Sequence, residues 1–246
     1  MTEETYLRSY NAEKYKRPSV AADIVVFTLD EENSLNILLI KRGGYPYKDK
    51  WALPGGFLDV DNESIDETAA RELKEETGIT NAFIKQLYTF GSPKRDPRMH
   101  VISVSYTALI PKCKLSYKAG DDASDAQLFK IELHGEQLRF KNDDYILHEE
   151  DLAFDHATII HTAIDRIRSR ISYEPDAFYL LEDRTKFTIY ELKKIYEAIQ
   201  NKKLDTPNFR KWFTRSFVDS GVVKAVGEIT PKYKNKLTKV YKFMKG

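Results

Sequence analysis

Three glutamates, Glu72, Glu75 and Glu76, stand at i, i+3 and i+4 within the string GGFLDVDNESIDETAARELKEETGI, which runs from Gly55 to Ile79. On a helix that spacing puts all three carboxylates on one face. Like charges so close repel one another, and a bound cation removes the cost. Oxygen ligands without a thiol select a hard ion, Mg2+ or Mn2+. A metal held this way can neutralise a diphosphate, orient it and activate a water for attack at phosphorus. Gly55 and Gly56 allow backbone to approach phosphates closely. Arg71 and Glu63 are expected to pair and so fix the preceding loop against the helix. A solvated acidic face is the competing reading of the glutamates alone; the complete string argues against it.

Such a site needs a helix beneath it and strands around it. Ser64-x-x-Glu67 is a capping box and Gly78 stands where a helix terminator belongs, so a helix is expected over Ser64 to Thr77. Ser19 to Leu29 and Leu35 to Ile40 are β-branched, apolar runs separated by a polar DEENS turn, the pattern of a hairpin. Val101 to Leu109 alternates as a strand does, and Ala126 to Ile131 is a further short strand. Glu149 to Ile171 repeats apolar residues at helical spacing and reads as one long amphipathic helix. The expected organisation is an α/β domain over 1–150, a linking helix over 151–175 and a second module over 176–246.

The second module has its own grammar. Thr188-x-x-Glu191 caps a helix to Gln200. Pro207 opens another, TPNFRKWFTRSFVDS, that closes at Gly221. Val222 to Val226 and Val240 to Met244 read as strands either side of a basic loop. Helix, turn, helix, strand, loop, strand is a winged helix-turn-helix layout. Phe209, Trp212, Phe213 and Phe217 form a packing stripe. Asn208, Arg210, Lys211 and Arg215 are donors suited to bases and phosphates, and Lys232, Lys234, Lys236 and Lys239 lie in the expected wing. The charge is split accordingly. From Tyr179 onward there are 16 Lys and Arg against 7 Asp and Glu, while the rest of the chain has 23 against 31. The net +1 of the whole chain thus conceals a basic tail of +9, a signal of polyanion binding. A solvated basic face on a dimerisation domain is the alternative.

Composition excludes several classes. One cysteine, Cys113, allows neither an intrachain disulfide nor a cysteine zinc cluster. The polar N-terminus has no signal-peptide core, and no apolar run approaches the roughly 18 residues of a membrane helix. A cytoplasmic protein without membrane contact is expected.

The string from Gly56 resembles the Nudix box, Gly-x5-Glu-x7-Arg-Glu-aliphatic-x-Glu-Glu-x-Gly-aliphatic. It departs once: six residues separate Gly56 from Glu63 instead of five, the extra one lying between Asp59 and Asn62. The resemblance implies a mixed sheet with flanking helices, with Glu63, Arg71, Glu72, Glu75 and Glu76 catalytic and the last three metal-ligating. Arg95 and Arg98 of GSPKRDPRMH form a loop that can grip phosphate or simply be solvated. Trp51 and Phe90 can stack on a base or pack in the core. Asp121, Asp122 and Asp125 can supply a further carboxylate or form a polar turn.

With GSPKRDPRMHVISVSYTALIP, LAFDHATIIHTAIDRI and FTIYELKKIYEAI…LDTPNFRKWF, the chain is similar to the NrtR-type Nudix-related transcriptional regulators. That resemblance implies a homodimer that binds palindromic double-stranded DNA and senses ADP-ribose or a related nucleotide-type metabolite, with some relatives tied to sugar use. The competing reading is a metal-dependent Nudix hydrolase of the ADP-ribose pyrophosphatase type. The intact glutamates leave retention of hydrolysis open.

Overall fold

The computed structural model describes residues 2–80, 82–116, 123–229 and 237–244. A short exposed helix that the sequence reading missed, α1 (Glu3–Ser9), precedes the sheet. Strands β1 (Ser19–Leu29) and β2 (Leu35–Arg42) form the expected hairpin, and β3 (Trp51–Ala52) and β4 (Gly55–Phe57) pair with β2 and β1. Next come α2 (Ile65–Thr77), β5 (Phe83–Phe90), β6 (Val101–Leu109), β7 (Ala123–His134), β8 (Gln137–Lys141) and β9 (Ile146–His148). The sheet runs β5-β6-β1-β2-β7-β8-β9. It is mixed, because β1 and β6 pair in parallel from Ser19↔Val101 to Phe27↔Leu109 while the others pair antiparallel.

Strand β1 is buried through its interior and serves two cores. Ala22, Ile24 and Val26 face α2, where Ala69 and Leu73 cover them. Val25 and Phe27 alternate to the other side, against Ile159, Ile160, Ala163, Ile164 and Ile167 of α3 (His156–Arg170). The period-2 alternation of the strand thus places one helix on each face.

Helix α3 starts later than the sequence suggests. Glu149–Asp151 is a 3-10 turn, Leu152 bridges to Trp51 beside the sheet, and Phe154 takes a φ of 52°. An L-residue there cannot continue a right-handed helix, so the apolar Leu152 belongs to the sheet side and not to the helical stripe.

A 3-10 segment, Pro175–Leu180, leads to the second module. It contains β10 (Phe187–Thr188), α4 (Ile189–Gln200), α5 (Thr206–Phe213), β11 (Val223–Ile229) and β12 (Thr238–Phe243). The three strands order as β10-β12-β11. The Thr188/Glu191 capping box is formed, and Asp205 caps α5. The helix expected to run to Ser220 instead changes to a π-helical turn over Thr214–Val218. Phe209, Phe213 and Phe217 recur every fourth residue, a spacing that keeps them on one side of the helix, and all three are buried.

Candidate functional site

Helix α2 is set by its ends. Ser64 accepts from the Glu67 amide, Glu67 accepts from the Ser64 amide, and Gly78 closes the helix in the left-handed region at φ 70°. The loop before it contains the extra residue, and a local turn absorbs it. The Asn62 and Glu63 amides both donate to the Asp59 carbonyl, and Asn62 Nδ2 donates to Asp59 Oδ2 at 2.8 Å. Glu63 is still delivered to Arg71. Arg71 Nε and Nη2 donate to its two carboxylate oxygens at 3.0 and 2.8 Å, a fork on a carboxylate. Arg71 holds the Glu63 carboxyl down to about 2, with the Asp59 amide assisting.

The remaining Arg71 nitrogen, Nη1, spans Glu72 Oε1 at 2.7 Å and Glu75 Oε2 at 3.3 Å. Glu72 and Glu76 are buried, and Glu75 faces solvent. Burial pushes the Glu72 carboxyl above its ordinary value, against the pull of Arg71. A Cβ on Gly56 would lie 2.0 Å from Glu72 Oε1, so the bare backbone of Gly56 is the cradle for that carboxylate. The donor set suits a hard divalent cation in kind: three carboxylates on one face and no sulfur. In the arrangement seen, the Arg71 guanidinium supplies the countercharge. Among the described residues no three acidic or imidazole side chains converge as a metal cage.

The two loop arginines diverge. Arg98 stays half-exposed, forks onto Asp96 at 3.1 and 2.8 Å, and lies 5.3 Å over the Phe57 ring beside the box. Arg95 turns inward. Its side chain is 4% exposed and is committed to Asp155 and Asp23, so it has no free face for phosphate. Burial opposes its charge, yet the two aspartates outweigh that and raise its pKa. Trp51 is a core residue, edge-on to Phe129 and Tyr145 at 4.8 and 5.4 Å, and not a stacking platform. Phe90 is partly buried against the same core. Asp125 binds its own neighbours, the Ala126 amide and Gln127 Nε2. Asp121, Asp122, Lys232, Lys234 and Lys236 lie outside the described residues.

Sequence reading missed a polar group behind the box: Asp23, Ser103, Ser105 and His156, all buried, with the half-buried Asp155 beside them. Ser103 Oγ donates to Asp23 Oδ2 at 2.5 Å, and the Leu53 amide donates to His156 Nδ1 at 2.9 Å. A signal was available, because one aspartate inside the apolar run SVAADIVVFTL demands a partner.

Asn208, Arg210 and Lys211 on α5 and Arg215 in the π-helical turn after it are exposed, while Phe209, Phe213 and Phe217 are buried. Lys239, on β12, is exposed at the wing edge. A cleft of about 410 Å3 lies between β7 and α4, lined in part by Lys130, Arg168, Lys194, Lys202 and Lys203; it includes no box residue.

Residues 17–149 match the family model for the NUDIX domain, and residues 177–243 match that for the NrtR DNA-binding winged helix domain. The chain is 34% identical over 224 residues, 91% of its length and 81% of the relative's, to the ADPR responsive transcriptional repressor NtrR of Acinetobacter baylyi. It superposes on a MutT/nudix family protein from Enterococcus faecalis at a TM-score of 0.82 and 32% identity, covering 98% of this chain and 92% of that one. With Shewanella oneidensis NrtR complexed with a 27mer DNA the TM-score is 0.67 at 25% identity, covering 91% and 93%. The NUDIX domain of that Shewanella protein, solved with ADP ribose, matches at a TM-score of 0.51 and 32% identity, covering 68% of this chain and 99% of that one.

Proposed function

From the premise that this chain belongs to the Nudix family, in the branch that carries an NrtR winged helix, we propose that it is a DNA-binding transcriptional regulator whose Nudix domain senses ADP-ribose or a closely related nucleotide diphosphate. The observation that carries the reading is the division of α5 and the π-helical turn that continues it: Phe209, Phe213 and Phe217 are buried, while Asn208, Arg210, Lys211 and Arg215 are presented to solvent. A recognition helix needs that division. The protein acts as a homodimer on a palindromic site, with α5 in the major groove and Lys232, Lys234, Lys236 and Lys239 on phosphates.

In the Nudix domain the diphosphate lies over Gly55 and Gly56, with Arg98 and Phe57 at its edge. Glu72, Glu75 and Glu76 would hold a magnesium or manganese ion, which would supply positive charge to the diphosphate. For that, Arg71 Nη1 gives up Glu72 and Glu75, while Nε and Nη2 keep their fork on Glu63 and with it the loop.

Fluorescence anisotropy with a fragment of the protein's own promoter and a random duplex, at several salt concentrations and with or without ADP-ribose, tests this. The reading expects a specific excess that persists as salt rises and an affinity that changes with ADP-ribose. Equal affinity for both duplexes at every salt refutes it. The complete set of box glutamates favours a second activity, slow metal-dependent hydrolysis of the diphosphate. Release of phosphomonoester from ADP-ribose, lost on replacing Glu75 and Glu76 by Gln, is its assay.

A further inference from the structure

Helix α3 is tied at one end to β1 and to the segment that leads into the Nudix box, and at the other to the helix-turn-helix. At the box end, Asp23 on β1 accepts from Ser103 Oγ and, at 3.2 Å, from Arg95 Nη2. Arg95 in turn forks onto Asp155, Nε to Oδ2 at 3.0 Å and Nη2 to Oδ1 at 2.7 Å. Asp155 is the N-cap residue of α3, yet its side chain makes no cap bond. An aspartate there normally accepts from the first-turn amides; here the carboxylate is given to Arg95. His156, the first residue of α3, is buried, and burial holds its pKa below the ordinary value. Its Nδ1 accepts the Leu53 amide proton, so the neutral ring carries hydrogen on Nε2, which faces Asp23 Oδ1 at 3.7 Å. The Ala153 amide donates to the Trp51 carbonyl at 2.7 Å.

The segment from Trp51 to Leu53 is therefore held at two points by α3 and its lead-in, the Trp51 carbonyl by the Ala153 amide and the Leu53 amide by His156. The fit is close, since a Cβ on Gly55 would lie 2.2 Å from the Ala22 carbonyl and 3.0 Å from Asp23 Oδ1. At the far end of α3, Arg168 Nε donates to the Ile199 carbonyl in the last turn of α4 at 2.9 Å. Arg95 is also three residues from Arg98, which covers Phe57 at the edge of the box.

We infer that Arg95, Asp155 and His156 are positioning residues that transmit occupancy of the Nudix site to the DNA-binding helices by fixing the first turn of α3 to β1 and to the Trp51–Leu53 segment that leads into the box. The inference deepens the effector reading above and rests on it. A ligand that shifts β4, which pairs with Asp23 through Gly55, or the Arg95–Arg98 loop moves Asp23, Leu53 or Arg95, and the fork on Asp155 passes that movement to α3. The 15 residues of α3 carry that shift over about 22 Å to α4. A clamp that served stability alone would sit in the same place, so the discriminating quantity is the coupling between the two ligands, not the melting temperature.

The experiment uses the full chain as wild type, Asp155→Asn and Arg95→Lys. Asn keeps the side chain's size but removes its charge and one of the fork's two acceptors, so it serves if the arginine variant fails to fold. DNA affinity is measured with and without saturating ADP-ribose, and ADP-ribose affinity is measured alone. The wild-type ratio is expected between about 5- and 150-fold. In the variants it should fall to within about twofold of unity, with each ligand alone binding within about threefold of wild type. An unchanged ratio overturns the inference, as does selective loss of ADP-ribose affinity, which would make these residues part of the ligand site. A wild-type ratio of one sinks the effector reading instead. Hydrogen exchange then judges the clamp by itself. In Asp155→Asn, exchange must rise together at 53–56 and at 156–160, and a rise confined to one of them overturns it.

Discussion

Gly56→Ala is the cleanest perturbation of the candidate metal site, because it acts on one carboxylate without straining the backbone. The added methyl would lie 2.0 Å from Glu72 Oε1 and 2.6 Å from its carboxyl carbon, where ordinary contact begins near 3.4 Å. Glu72 must retreat by about 1.4 Å, and it is buried and held by Arg71 Nη1 at 2.7 Å. Giving up one charge-assisted hydrogen bond costs about 1.5–3 kcal/mol. For a chain of this size that lowers the melting temperature by about 3–12 °C, offset a little by the stiffer unfolded chain. The effect on function is larger. Disturbing what orients a metal ligand costs about 10–100-fold in metal affinity, so metal-dependent ADP-ribose affinity should fall by about that factor in calorimetry with Mg2+. The same change in a Glu72→Ala background should cost almost nothing, since the collision partner is gone. Gly55→Ala is the contrasting case. Gly55 has φ 155° and its Cβ would meet the Ala22 carbonyl, which cannot swing aside, so that variant should not accumulate as folded protein. If Gly56→Ala binds metal and ADP-ribose as wild type does, or is equally damaging without Glu72, the assignment of Gly56 as the cradle of Glu72 is wrong.

Replacing Glu75 and Glu76 with Gln should abolish metal-dependent ADP-ribose binding while far-UV circular dichroism is retained; unchanged Mg2+ binding by calorimetry removes both from the ligand set. Arg210→Ala should cost about 1–3 kcal/mol of specific DNA affinity and relax the preference at one base pair, read by anisotropy against a panel of single-base operator variants. A uniform loss across the panel would make Arg210 a phosphate contact. Acid should weaken the fold through Glu63, whose folded pKa is held near 2 against an ordinary 4.5. That contribution is present above the unfolded value and is lost as pH falls from about 4.5 toward 2. Urea midpoints over this range should fall more steeply for wild type than for Glu63→Gln, and parallel slopes would refute the pair's role.

What could be read from the sequence was what is decided locally. The ends of α2 and α4 are set by capping boxes within four residues, so Ser64 and Thr188 marked them correctly. The hairpin of β1 and β2 follows from apolar runs either side of a polar turn. Arg95 could not be read in this way. In PKRDPR it resembles a surface arginine, and only the fold brings Asp23, 72 residues away, and Asp155, 60 residues away, to it. Strand β5 is exposed or half-buried at all but Leu87 and therefore lacks a clean alternation. Strands β3, β4 and β9 are two or three residues long and exist because a partner strand is beside them. Leu152 shows the opposite error: helical spacing was present, but the Phe154 turn assigned it to the sheet.

Whether a ligand at the box can govern DNA binding depends on whether the two modules move as one body, and the core answers that. A single buried apolar cluster runs from Val25, Trp51 and Phe129 through Ile160 and Ile167 of α3 to Phe178, Leu192, Phe213 and Phe243. Phe83 on β5 stacks on Tyr179 with ring centroids 3.8 Å apart, and Lys85 reaches Glu174 and Asp176 at 2.5 and 3.1 Å. No flexible tether separates the winged helix from the sheet at these contacts, so a displacement at the sheet is not dissipated in a linker. Close-packed interiors deform little and tend to exchange one packing for another. A shift of β4 is therefore passed on as a change in how α4 and α5 are presented. In a dimer that change alters the spacing of two recognition helices against a fixed operator geometry. The free energy available is the difference in ADP-ribose affinity between the two presentations and nothing more, which is why the ratio of DNA affinities with and without ligand measures the mechanism directly.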